Sequence, residues 1–225
     1  MLIREGDQRT VDIDLKLATL LAGVAGALNG AGFQAAGFFS ANMTGNVSSL
    51  SDHLALGRLD TAALFAAMIV SFILGACCSG FMIEIGRQRG VRGIYAYSVL
   101  LEAGLLLLLG PIALFFRGFQ TGLVICLSFI MGVQNAATTR ISDARVRTTH
   151  VSGMATDIGL GLAALVRGQP APRFRLSLFT LTAFLAGGVL GVFAYLLIDG
   201  WLLIIAGIAL LAIGIPEAHR ARGGA

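Results

Sequence analysis

Apolar runs alternate with short polar connections along the whole chain, and the length of each run decides what it forms. A helix crossing a hydrocarbon core of about 30 Å takes about 20 mostly apolar residues. Five runs reach that length, at residues 17–39, 61–83, 93–116, 120–139 and 176–198, and Glu102 is the single formal charge inside them. A sixth run, 201–216, is shorter but unbroken in its apolar character. The pattern predicts an all-α integral membrane protein with six transmembrane helices in one domain over 17–216. A polar segment at 1–16 and a tail at 217–225 flank it.

The connections give this arrangement a direction. One set of alternate connections and ends carries Arg4, Arg9 and Lys16, then Arg87, Arg89 and Arg92, then six arginines at 140, 145, 147, 167, 173 and 175, and finally Arg220 and Arg222. Those are 14 of the 16 basic residues; Arg58 and Arg117 are the 2 on the other side. By the positive-inside rule the rich side is cytoplasmic, which places both ends there and requires an even number of crossings. The first 16 residues also carry Glu5, Asp7, Asp12 and Asp14, and no small-residue cleavage site follows a compact apolar stretch. A cleaved leader is not expected.

Composition excludes the soluble classes. The 225 residues are 56% hydrophobic and 12% charged, against about 25% charged in a typical soluble domain, and mean hydropathy is +0.85. A soluble enzyme, a nucleic-acid binder and a disordered tail are all incompatible with this. The net charge of +4 comes from the arginines between spans, so it reports orientation before it reports an anionic partner. Cys77, Cys78 and Cys126 lie in apolar segments without CxxC spacing, and they are expected as small core residues rather than disulfide or zinc ligands.

Two stretches of the chain resemble each other. Gly26-Ala27-Leu28-Asn29-Gly30-Ala31 in the first span answers Gly132-Val133-Gln134-Asn135-Ala136-Ala137 in the fourth. Shortly after each comes a polar segment of one shape, Thr44-Gly45-Asn46 and then Ser152-Gly153-Met154. In the second and fifth spans Ser71, Phe72, Gly75 and Ser79 answer Ala183, Phe184, Gly187 and Gly191, a spacing of small residues that suits close helix packing. Each repeat, about 17–116 and 120–216, holds three spans, so the second enters the membrane from the opposite side. Inverted repeats of this kind are found in many secondary transporters, with the substrate site at the repeat interface beside discontinuous helices.

The segments 40–57 and 151–166 are helix-like but too short to cross. Each is expected as a broken or interfacial helix, with Thr44 or Ser152 as N-cap and Gly45 and Gly153 as equivalent positions, one near each membrane face. Valine at either glycine is expected to do more damage than at Gly110. The start of a broken helix offers free N–H groups to a polar or anionic solute. Asn29, Gln34, Gln134 and Asn135 are amides inside apolar spans, which either lock helices together or line a polar chamber. The candidate solute-binding set is Asn29, Asn42, Thr44, Gly45, Asn46, Gln134, Asn135, Thr149, Ser152, Gly153 and Asp157. Glu102, an acid deep in a span, is the candidate for proton coupling, with a hydrogen-bonded brace as the alternative. Glu84, beside Arg87 and Arg89, is expected as a surface charge.

No enzyme is expected. His150-Val151-Ser152-Gly153 lacks the GxSG pattern of an intramembrane serine protease, and there is no P-loop, HExxH or acidic metal cluster. The expected activity is that of a small-solute permease or channel-like protein, with a membrane-embedded scaffold or assembly partner as the alternative. Its partners are then the lipid bilayer and an unidentified small polar or anionic solute, with a homo-oligomer admissible. No nucleic acid, cofactor or metal is called for.

Four stretches carry a family resemblance: Asn42-Met43-Thr44-Gly45-Asn46, Leu101-Glu102-Ala103, Met131-Gly132-Val133-Gln134-Asn135-Ala136 and Thr148-Thr149-His150-Val151-Ser152-Gly153. Together they resemble the YoaK family of bacterial multi-pass inner-membrane proteins, a domain of unknown function, over about 17–216. The chain departs from that pattern at Ser152, where the family tends to have Thr, and at His150, where it tends to have an aromatic residue. The cap chemistry survives that change, while His150 does not stand as a shared functional residue. The resemblance implies an inner-membrane location and a multi-pass architecture, and supplies no substrate.

Overall fold

The computed structural model describes residues 1–3, 9–116 and 118–223. Arg4, Glu5, Asp7 and Arg117, used above for orientation, lie outside the described residues. Eight helices and no strand occur among those described: α1 Val11–Ala36, α2 Met43–Ala55, α3 Leu59–Gln88, α4 Ile94–Phe115, α5 Gln120–Ile141, α6 Val151–Val166, α7 Phe174–Ile198 and α8 Trp201–Gly223.

Helices α3, α4, α5, α7 and α8 are long and apolar enough to cross a membrane. The set differs from the expected one at the first helix, and its last member is longer than expected. The run at 17–39 folds as α1, which starts early because the Thr10 hydroxyl accepts from the Ile13 N–H and Asp12 and Asp14 suit its positive end. It takes in Asp12, Asp14 and Lys16 and stops at Gly37, whose φ of 78° turns the chain back; α1 is not among the five. The last run, short in sequence, extends through Pro216 to Gly223 and is among them.

Backbone contacts at glycines fix how the helices pair. A Cβ at Gly26 would overlap the Phe184 carbonyl oxygen, and one at Gly187 would overlap that of Gly23. Further along, Gly30 meets Gly188 and Val192, so α1 and α7 run parallel. The same contact recurs between α5 and α3, with Gly132 against the Phe72 carbonyl and Gly75 against that of Phe129. The Ser71 hydroxyl donates to Ile125 O at 2.9 Å, so this pair is parallel too. Helices α4 and α8 run antiparallel, Gly207 meeting Leu107 and Gly214 meeting Leu100. Between α1 and α5, Gly32 faces Leu127 while Leu21 accepts from Gln134, which makes these two antiparallel.

The core lies among α1, α4, α5 and α8, around Leu21, Leu28, Leu106, Leu127, Met131 and Leu203. Outside it, Val70, Ile73, Leu74 and Phe81 on α3 and Leu185, Leu190, Phe193 and Leu196 on α7 are exposed. Apolar belts of this extent belong against lipid or another protein rather than water. Cys77 and Cys78 stand on this exposed surface of α3 and Cys126 is half-buried, which corrects their expected place in the core. Facing outward from a lipid-side helix is as favourable for a small apolar thiol as burial would be.

One end of the bundle collects the ion pairs. Asp14 is buried, pairs with the Arg9 guanidinium, and lies 3.1 Å from the Arg145 guanidinium. The Met1 amino group reaches Glu217, and Leu2 N–H donates to the same carboxylate at 2.7 Å. Glu84 is exposed as expected, and its cation is Arg140, at 3.6 Å.

Candidate functional site

After α1 and after α5 the chain folds back into the bundle. Ala41 N–H donates to Asn29 Oδ1 at 2.9 Å, and the Ser128 hydroxyl donates to the Ser40 carbonyl at 3.1 Å. Asn29 stands seven residues before the end of α1, so the returning strand penetrates about 10 Å at about 1.5 Å per residue. In the second half Ser142 and the left-handed pair Asp143 and Ala144 reverse the chain. Thr149 Oγ1 then donates to Asn135 Oδ1 at 3.0 Å. Each amide therefore holds the second residue before a short helix.

Those helices, α2 and α6, start beside one another. The expected caps are corrected here: Asn42 and His150 are the N-cap residues, and Thr44 and Ser152 are the second residues of their helices. Asn42 Oδ1 accepts from Gly45 N–H at 3.1 Å, whereas His150 makes no side-chain cap bond. An N-cap side chain accepts from an N–H two or three residues further on, the offset that separates Asn42 from Gly45. Both starts line a single cavity of about 830 Å³, with Gly45 on its wall and Gly153 outside it.

Asn29, Asn42, Thr44 and Gly45 line this cavity from the first half, and Asn135, Thr149 and Ser152 from the second. Four candidates lie elsewhere. Asn46 is buried with its amide on the Phe39 carbonyl at 3.3 Å. Gly153 and Asp157 border a second, polar cavity of about 620 Å³, where Ser177 Oγ donates to Asp157 at 3.1 Å. Gln134 is buried behind the wall, donating to Glu102 Oε1 at 3.0 Å and accepting from Thr148 Oγ1 at 2.7 Å. Glu102, 1% exposed, does not line the cavity.

Sequence reasoning passed over Arg147, Phe72 and Phe184 and set His150 aside, yet all four line the cavity. Arg147 and His150 also border the second cavity and so stand between the two. Spacing carried a signal for His150, which precedes Gly153 by the same three residues that separate Asn42 from Gly45. Electrostatically the site favours anions. Two helix starts face it, Arg147 is its one permanently charged lining group, and no carboxylate among the described residues lines it.

The glycines test this cap geometry. A Cβ at Gly45 would overlap the Asn42 side chain and one at Gly153 the His150 ring. Gly45→Ala is expected to lower stability by about 1 kcal/mol, the value of an N-cap, and Gly153→Ala by less, since no cap bond is lost. Thermal melts of the two variants check the order. Gly110 is a poor comparator, because its Cβ would meet Ile204 and lie 3.1 Å from the Gly200 carbonyl oxygen, whereas Gly104 has nothing within 4 Å.

The long apolar helices and their exposed belts define a helical membrane-type protein. Residues 17–215 match the family described as Protein of unknown function (DUF1275), and the chain belongs to that family. No curated protein and no solved structure matches the chain.

Proposed function

We propose that the chain is a six-span permease or channel-like protein for a small polar or anionic solute. In this reading it sits in a bacterial inner membrane with both ends cytoplasmic, and consists of two inverted three-span repeats. The observation that carries the reading is the single cavity lined by the starts of α2 and α6. These helices follow α1 and α5, which run antiparallel, so they enter the cavity from opposite directions. Transporters with inverted repeats hold their substrates at such helix breaks.

The helix directions support six crossings. If α1 runs outward, its parallel partner α7 does too, while α5 and its partner α3 run inward; α4 and α8 oppose each other. That order alternates along the chain and inverts between halves. The end bearing Met1, Arg9, Arg145 and Glu217 is then the cytoplasmic one, in agreement with the 14 basic residues assigned to that side. The motifs resembling the YoaK family support the inner-membrane location.

Cysteine accessibility tests the reading against a membrane-embedded scaffold. With Cys77, Cys78 and Cys126 replaced, Thr44→Cys and Ser152→Cys should react with a small charged thiol reagent added in water. Leu106→Cys, in the core, should stay silent. Silence at both cavity positions would mean a dry seam and would favour the scaffold.

A further inference from the structure

We propose that the solute taken into this cavity is an organic monocarboxylate with a compact apolar body, its carboxylate held by Arg147 and its body lying against Phe39, Phe72 and Phe184. The inference rests on the permease reading and names the substrate class of that same site.

Three features of the lining point to it. First, the charge is single and fixed: Arg147 lines the cavity, forms no ion pair among the described residues, and meets no competing carboxylate on the cavity wall. A guanidinium presents a planar fork of donors that matches a carboxylate in two parallel bonds. One such group balances one negative charge. A dianion would leave its second charge uncompensated in a bundle of apolar helices.

Second, the remaining wall is mixed. Both halves give it hydrogen-bonding groups, Asn42 and Thr44 from the first and Thr149 and Ser152 from the second, and both give it phenyl rings, Phe39 and Phe72 from the first and Phe184 from the second. Phe72 and Phe184 hold matching places on α3 and α7, each with its carbonyl against a glycine of the facing helix, so their positions are fixed by the backbone seams. A ligand with a polar head and an apolar body satisfies both kinds of lining at once. A sugar or polyol would leave hydroxyls against phenyl rings.

Third, the size is wrong for an inorganic ion. The cavity of about 830 Å³ lies in the upper part of the range of about 300–1,000 Å³ for small-molecule sites. At about 30 Å³ per water molecule, an inorganic anion displaces only a few waters and leaves the rings wetted. A compact organic acid removes that water from the apolar wall.

The test is binding to the purified full chain in detergent, with benzoate, acetate, inorganic phosphate and benzyl alcohol as probes, read by calorimetry. Benzoate should bind at least about tenfold more tightly than acetate, because about 60 Å² of apolar surface withdrawn from water is worth that factor. It should also exceed benzyl alcohol by a similar factor, through the charged hydrogen bonds. Arg147→Gln should erase the advantage of benzoate over benzyl alcohol, and Arg147→Lys should keep part of it.

Equal binding of benzoate and acetate, or tighter binding of phosphate, overturns the substrate class and leaves the anion-permease reading standing. A benzoate signal unchanged in Arg147→Gln marks partition into detergent and overturns the assignment to this site. No binding of any probe, with Thr44→Cys and Ser152→Cys still reactive, also defeats the inference alone. Unreactive cysteines defeat the permease reading itself.

Discussion

Gly26→Ala and Gly132→Ala are each expected to remove most of the folded protein, and by similar amounts. A single methyl at Gly26 overlaps the Phe184 carbonyl oxygen, and at Gly132 it overlaps the Phe72 carbonyl oxygen. Both obstacles are backbone in mid-helix, so no rotamer change relieves them and the helices must separate. Overpacking of a side-chain core costs about 1–3 kcal/mol; parting two helices along a whole seam stands at or above the top of that range. Gly80→Ala and Gly104→Ala, with nothing within 4 Å of the new methyl, are the neutral controls. The measurement is the melting temperature and monodisperse yield of purified variants. A Gly26→Ala protein that melts with the Gly104→Ala control would show that the α1–α7 seam is not packed as described.

The seams were half legible in the sequence. Pattern matching paired Gly26 with Gly132 and Gly75 with Gly187, and these glycines do occupy matching contacts. Sequence alone gave no partner for them, because a small residue on an apolar helix suits any close neighbour. Parallel pairing of α1 with α7 and of α3 with α5 joins elements far apart in the chain, so no local signal could announce it. Boundaries suffered for a different reason. Hydropathy starts the first helix at the first apolar residue, whereas capping by Thr10 starts α1 six residues earlier, among charges.

At the site, sequence found the polar groups and missed their surroundings. Asn29 and Asn135 were conspicuous because an amide in an apolar run is costly, and both line the cavity. Phe72 and Phe184 looked like ordinary span residues, since nothing local distinguishes a phenyl ring facing lipid from one facing a cavity. Arg147 was counted among the six basic residues of one connection. Only the return of that connection into the bundle, tied down by Thr148 and Thr149, brings Arg147 to the cavity.

Gln134→Leu should destabilise the protein far more than Glu102→Gln, although both change one buried polar side chain. Gln134 joins three helices and a connection: its amide N–H groups serve Glu102 on α4 and the Leu21 carbonyl on α1, and its oxygen accepts from Thr148 before α6. Leucine leaves the Glu102 carboxyl and the Thr148 hydroxyl buried without these partners, at about 1–3 kcal/mol for each orphaned group. Glu102→Gln keeps the length of the side chain and an oxygen placed to accept from Gln134, so its fold should hold. The pair of variants also separates the two roles of Glu102. Glu102 does not line the cavity and is held by Gln134, and a carboxamide passes hydrogen bonds but not protons, so the geometry favours the brace. Uptake by reconstituted Glu102→Gln should then keep whatever dependence on an imposed pH gradient the parent shows. Loss of that dependence in a variant that melts like the parent would instead return Glu102 to proton coupling, and would place water, not Gln134, on the path between Glu102 and the solute.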